Sequence, residues 1–244
     1  MQPTSPSRQA RARLVVAIDG PSGSGKSTVS RRVARSLGLS YLDTGAMYRA
    51  LTWWALEEGV DLSDQAGVAE LARGLPLALG REPDDPRVIV AGTDVTAAIR
   101  QTRISEAVSA VAANLDVRAE LVRRQREIVA AGGVVAEGRD ITTVVAPEAP
   151  VRILLTAHED ERLARRAREV HGSTEARALA ATREQVVHRD ARDSAVAQFL
   201  TAAHGVVEID SSDLGLEEVV AAVLAVVEEA TGVRPVGVPV WSEP

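Results

Sequence analysis

The chain has no cysteine, which excludes a disulfide-stapled scaffold, a thiol nucleophile and any thiolate metal site. Aromatic residues make up 2% of it, leaving few stacking platforms for single-stranded nucleic acid. Lysine is almost absent: of 28 basic residues, 27 are arginine and one is Lys26. No apolar run is long enough to span a bilayer. The four histidines, His158, His171, His188 and His204, lack the close spacings of a metal cluster. Acidic side chains outnumber basic ones 34 to 28, for a net charge of -6. That sign argues against a general nucleic-acid binder, while leaving room for a local basic cleft around a small phosphate ligand.

What is present is a globular balance, 45% hydrophobic and 25% charged over 244 residues, enough for one core with an inserted subdomain. The polar, basic stretch over residues 1–13 leads into LVVAID, which ends in an acid and not in a secretory cleavage site. A flexible N-terminal tail on a cytoplasmic, monomeric protein is expected.

Leu14–Ile18 is a short β-branched run closed by Asp19 and Gly20, the pattern of a strand buried on both faces of a parallel sheet. From Ser27 the period changes. Val29, Val33 and Leu37 recur every four residues with Arg31, Arg32 and Arg35 off that stripe, predicting an amphipathic helix stopped by Gly38. Further strands are predicted at Leu39–Leu42, Val134–Ala136, Val151–Leu155 and Val206–Ile209, and a last helix around Val219–Val227. About five strands alternating with helices predict a three-layer α/β fold with a central parallel sheet. Leu75–Thr96 breaks this rhythm with two extended stretches around a proline and acid turn, predicting a small antiparallel ribbon. The expected organisation is core over 14–73, inserted subdomain over 74–111, core over 112–230 with a helical lid near 158–185, and a proline-containing tail over 231–244.

Gly20-Pro21-Ser22-Gly23-Ser24-Gly25-Lys26-Ser27 matches GxxxxGK[ST] between the first strand and the first helix. Glycines let successive backbone N–H groups face one polyphosphate, and the helix N-terminus adds partial positive charge. Lys26 is placed to reach the β and γ phosphates and Ser27 to ligate Mg²⁺. The single lysine of the chain stands at the one position where the motif requires it. A GTPase needs an N-K-x-D base-reading element, and no lysine remains to build one. Strand-end acids suited to a motor ATPase do not stand out. A kinase acting on a small molecule is therefore the leading class, with a nucleotide-dependent regulatory module as the alternative from another class.

Three stretches bear on the acceptor. Asp43–Arg49 follows the second predicted strand and places Arg49 in the first turns of a helix, either toward the cleft or in solvent. Glu137-Gly138-Arg139-Asp140 follows a strand at the carboxyl end where α/β ligands bind, as a phosphate fork beside a base acceptor or as a structural ion pair. Arg189, Arg192 and Asp193 share one helix face, functional or solvated. Arg162, Arg165, Arg166 and Arg168 lie in a helical stretch after the Val151 strand, and the first three share a face. They suit an arginine lid that neutralises a transferring phosphoryl group and excludes water.

These elements together, IDGPSGSGKST (18–28), LDTGAMYR (42–49), GTDVTAAIR (92–100) and EGRDITTVV (137–145), resemble the bacterial cytidylate kinases, the CMP/dCMP kinases of the nucleoside monophosphate kinase group. The resemblance spans Leu14 to Val227 and implies a P-loop NTPase fold; another P-loop small-molecule kinase of UMP/CMP type is the alternative within the class, and the long insert and the EGRD stretch argue against it and against shikimate and gluconate types. The resemblance implies γ-phosphoryl transfer from Mg·ATP to CMP or dCMP, with an enlarged monophosphate-binding insert. It further implies ATP contacts from Gly20 through Thr28 and a cytosine-reading set of Thr44, Ser109, Arg118 and Asp140. Arg49 and Arg139 are implied as acceptor-phosphate ligands, and Arg189 and Asp193 as contacts to the ribose hydroxyls and the adjacent phosphate. Thr142 and Ala146 depart from the family pattern, where glycine and phenylalanine are usual. A family arginine expected shortly after Ser194 is missing from a segment shortened by about two residues, and Arg192 is the nearest candidate to replace it.

Overall fold

The apolar runs expected as strands form one sheet in the computed structural model, which describes residues 6–172, 174–194 and 197–236. In chain order the elements are α1 (Pro6–Arg13), β1 (Val15–Asp19), α2 (Lys26–Leu37), β2 (Ser40–Asp43), α3 (Thr44–Glu57) and α4 (Gln65–Gly74). Three short strands follow, β3 (Leu77–Leu79), β4 (Val88–Val90) and β5 (Thr93–Asp94), then α5 (Thr102–Ala113) and α6 (Leu115–Ala130). The remainder comprises β6 (Val134–Gly138), β7 (Val151–Thr156), α7 (Glu159–His171), α8 (Ala176–Ser194), β8 (Val207–Asp210) and α9 (Leu216–Thr231).

The main sheet has the order β2-β6-β1-β7-β8, all parallel. Alternate residues of β1 serve opposite faces. Val16 and Ile18 pack with Val29, Val33 and Leu37 of α2 and Val219, Val223 and Val227 of α9. Val15 and Ala17 pack toward α3 and α6, against Met47, Leu51, Val117 and Leu121. Both faces are thereby covered, the condition under which an all-parallel sheet is stable. α2 ends where Gly38 adopts φ 65° and its N–H caps the helix carbonyls, as its sequence position predicts.

The region read as a ribbon is a three-stranded antiparallel sheet, β3-β4-β5. The third strand was not foreseen because it is two residues long; Ala91 (φ 48°) and Gly92 (φ 80°) turn the chain into it. This insert has no core of its own: Val88, Val90, Val95 and Ile99 join the hydrophobic cluster beneath α3 and α6. Pro6–Arg13, within the stretch expected as a flexible tail, are helical. Arg11 donates to the Arg234 carbonyl (3.0 Å), and the Ala12 carbonyl lies against the turn at Gly132, where a Cβ would come within 2.6 Å. The start of the stretch expected as a peripheral tail is likewise docked, with Val233 buried and the Val236 N–H donating to Ser36 O (2.7 Å). Among the described residues no helix is long and apolar enough to cross a membrane.

Candidate active site

The chain leaves β1 at Asp19 and curls through Gly20–Gly25 into α2. Gly23 requires its glycine twice over. Its φ of 79° is left-handed, and a Cβ there would stand 2.4 Å from the Arg162 carbonyl of α7. Ser22, Gly23, Gly25, Lys26, Ser27 and Thr28 line a cleft of about 220 Å³. Gly20, Pro21 and Ser24 lie buried beneath it. The Pro21 carbonyl accepts from Lys26 Nζ (3.2 Å), which holds the ammonium at the loop.

The opposite wall is set by sheet register. Parallel pairing puts Asp43 of β2 beside Glu137 of β6 at the carboxyl ends of both strands. Asp43 accepts from the Ala46 N–H (2.8 Å), starting α3, and holds Arg49 Nη2 at 2.7 Å. Burial pushes its carboxyl up, but the Arg49 and Arg100 charges and the Ala46 bond outweigh it, so it lies below the usual range. Glu137 goes the other way: burial and repulsion from Asp43 raise it, against the pull of Lys26. It accepts from Ser27 Oγ (2.6 Å) and Tyr41 Oη (3.0 Å). Arg49 and Arg139 face the cleft together with Arg31, Arg100 and Arg166.

A second pocket opens beyond Arg139, lined in part by Thr44, Tyr48, Arg118, Asp140 and Asp193. Arg118 and Asp140 form a buried ion pair across it. Burial raises the Asp140 carboxyl and Arg118 opposes the rise. Thr44 donates to the Glu137 carbonyl (2.8 Å), and a Cβ on Gly138 would come within 2.4 Å of its hydroxyl. Ser109 is buried behind this pocket, where its hydroxyl donates to Asp193 (3.4 Å) and is not among the lining groups.

The lid arginines divide. Arg162 donates to the Ser22 carbonyl (2.9 Å) and pairs with Asp190 (2.5 Å). Arg166 lines the cleft. Arg165 shares their helix but is tied to Ser211 on the loop after β8, through its hydroxyl (2.9 Å) and carbonyl (2.6 Å), so it does not line the cleft. Arg168 is exposed. On α8, Asp193 pairs with Arg139 (3.1 Å), whereas Arg192 is exposed and lines neither pocket. The side chain of Arg189 lies outside the described residues.

Strand-end acids, passed over in the sequence, are central here. Asp19 and Asp43 end β1 and β2, and Glu137 is the last residue but one of β6. Asp19 accepts from the Ile141 N–H (2.9 Å) and from both the N–H (2.8 Å) and hydroxyl (2.7 Å) of Thr142, which fixes the turn after Arg139. Burial outweighs those bonds and pushes its pKa up to about 6. The departure at Thr142 thus has a structural use, since a glycine has no hydroxyl to give. Asp190 was also missed, although it sits between two residues of the face under scrutiny. It accepts from the Ser22 N–H (3.2 Å) and pairs with both Arg139 (2.9 Å) and Arg162.

The donor chemistry fits Mg²⁺. The Ser27 hydroxyl and Glu137 carboxylate are hard oxygen donors meeting at the phosphate loop, and Asp43 repels the buried Glu137 in a way a dication would relieve. Among the described residues no three His, Asp or Glu side chains form a metal cage.

A family model described as cytidylate kinase matches residues 16–229. A cytidylate kinase of Streptomyces avermitilis is 45% identical over 219 residues, covering 88% of this chain and 93% of that protein. One from Rhodococcus opacus is 46% identical over 222 residues, covering 90% and 97%. One from Geobacillus kaustophilus is 43% identical over 223 residues, covering 91% and 100%. With a GxxxxGK[ST] loop and five arginines lining one cleft, the chain belongs to the cytidylate kinase family and is a nucleoside monophosphate kinase.

Proposed function

We propose that the chain transfers the γ-phosphoryl group of Mg·ATP to CMP or dCMP, giving ADP and CDP or dCDP. The observation that carries this reading is the convergence of Lys26 with Arg49 and Arg139 on one cleft. The loop amides and Lys26 hold the donor phosphates, while Arg49 and Arg139 hold the acceptor phosphate in line. Arg162 and Arg166 approach from the lid, where positioning and charge neutralisation supply most of the catalysis. Arg165 acts in this scheme as the tether of the lid helix to Ser211. No general base is required, because the acceptor oxygen is already anionic. Ser27 and Glu137 are the groups that would hold Mg²⁺, which would supply positive charge to offset that of the triphosphate.

Thr44, Arg118 and Asp140 are assigned to the cytosine, with Ser109 acting through Asp193. A carboxylate accepts from the cytosine amino group and repels the corresponding carbonyl of uracil, so selectivity follows from unmatched polar groups. Asp193 and Arg189 are assigned to the ribose side, and the insert over 74–111 to closure on the monophosphate. A cytoplasmic monomer acting on small molecules, with neither nucleic acid nor membrane as partner, completes the proposal; the net charge of -6 supports the exclusion of nucleic acid.

The test is ADP formation with ATP and Mg²⁺ against a panel of CMP, dCMP, UMP, AMP and no acceptor. Strong stimulation by CMP and dCMP is expected. ADP formation indifferent to the acceptor would overturn the reading in favour of a nucleotide-dependent regulatory module.

A further inference from the structure

Arg139 is held on three sides. Asp190 stands 2.9 Å from Nη1 and Asp193 3.1 Å from Nη2, while the Gly20 carbonyl accepts from Nη1 at 3.3 Å. These contacts fix the edge of the guanidinium but leave its faces open. One face is closed by the ring of Phe199, whose centroid lies 4.2 Å from the guanidinium carbon. Phe199 is the only phenylalanine in the chain and is fully buried. It sits in the shortened segment after Ser194 for which Arg192 was the expected compensation, and Arg192 is turned to solvent.

We propose that Phe199 is a positioning residue for the acceptor-phosphate arginine, an inference that rests on the acceptor role assigned to Arg139 above. A guanidinium is planar and weakly hydrated, so an aromatic face attracts it, and more strongly where water is excluded. The ring does this without occupying any N–H, which carboxylates alone cannot do. Asp190 and Asp193 set the direction of the fork in its plane, and Phe199 sets the tilt of that plane. Arg139 then meets the acceptor phosphate with little orientational freedom left to lose, and affinity is gained by preorganisation without a second arginine. A leucine would fill much of the same space but present no π face, so packing and positioning are separable.

The full chain is compared with Phe199→Leu and Phe199→Tyr, each checked by thermal melting. Phe199→Leu is expected to raise KM for CMP roughly 3- to 30-fold with KM for ATP within about twofold, and Phe199→Tyr to stay near the parent. A CMP KM unchanged in Phe199→Leu, or both KM values rising together, would overturn the proposal. So would equal losses in folded leucine and tyrosine variants. A second measurement needs no altered ring. In the unaltered protein the Arg139 Nε–H proton resonance, assigned through its loss in Arg139→Lys, is expected to be displaced upfield by the ring current, and an undisplaced resonance overturns the stacking even if Phe199→Leu fails to fold. If the unaltered chain shows no CMP-dependent ADP formation, the functional reading fails while the resonance still reports the stacking. If it is active and Phe199→Leu matches it, the positioning role alone fails.

Discussion

Replacing Asp140 by asparagine separates base reading from scaffolding. Asp140 is 7% exposed at its side chain and pairs with Arg118, itself 14% exposed. Removing one partner of such a pair outright costs about 3–5 kcal/mol, because the remaining charge is stranded away from water. Asparagine keeps the volume and one carbonyl acceptor, so the expected loss of stability is nearer 2 kcal/mol, measurable by denaturant unfolding. The effect on selectivity is distinct. The carboxylate accepts from the cytosine amino group and repels uracil, whereas an amide serves either base by turning over. Preference for CMP over UMP is therefore expected to drop about 10- to 100-fold, equivalent to about 1.4–2.8 kcal/mol of discrimination. The assay is kcat/KM for both acceptors at saturating Mg·ATP, since only their ratio reports selectivity. If both values fell by one factor with the ratio unchanged, Asp140 would be a scaffold for Arg118 and the base-reading role would be wrong.

Lys26→Ala is expected to lower turnover on the order of 100-fold or more with the fold intact by circular dichroism; a folded variant within about threefold of the parent refutes the role of the ammonium. Gly23→Ala forces a Cβ against the Arg162 carbonyl at a left-handed φ, so a lower melting temperature and a raised KM for ATP are expected, and an unchanged melting curve counts against that packing. Because the folded pKa of Asp19 is raised to about 6 from 3.8, the native state binds its proton more tightly than the unfolded chain. The stability this supplies, on the order of 3 kcal/mol, is fully present below about pH 4 and lost as pH rises through 6; Asp19→Asn should remove that slope from unfolding curves, and an unchanged slope assigns it elsewhere. CMP is expected to protect the backbone amides of residues 74–111 from hydrogen exchange while ATP alone protects mainly the phosphate loop and lid, and equal protection by ATP alone contradicts separate acceptor closure.

Four of the five core strands were legible as short runs with β-branched residues ended by an acid, a glycine or a turn, and β2, which has no β-branched residue, as a short apolar stretch between Gly38 and Asp43; these signals are local. The phosphate loop was legible for the same reason, with motif, strand and helix falling within a few residues of one another. Long-range pairing was not. Asp43 and Glu137 become neighbours only because β2 pairs with β6 in a parallel register, and no period within either segment encodes that. The helix-face argument for Arg162, Arg165 and Arg166 gave the right spacing. It did not foresee that the loop after β8 offers Ser211 to Arg165, nor that Arg192 points away from the face carrying Asp193 into the pocket.

Carboxylates set beside the arginines also explain how a chain of net charge -6 builds a cleft lined by arginine. Arginines gathered around one space repel one another, and burial would make each more costly. Here the cations lie against carboxylates at the base of the site: Arg49 against Asp43, Arg139 against Asp190 and Asp193, Arg162 against Asp190. A guanidinium tolerates this arrangement because its planar fork meets a carboxylate along one edge and keeps other N–H groups for phosphate, which a lysine ammonium, a rotating point charge, does less selectively. The single lysine is then found where a point charge on a flexible stem is wanted, at the phosphate loop. Asp190 goes further, since one carboxylate touches the loop at Ser22, Arg139 after β6 and Arg162 of α7. A change at Arg162 therefore bears directly on Arg139, the arginine proposed above for the acceptor phosphate, because both share the Asp190 carboxylate.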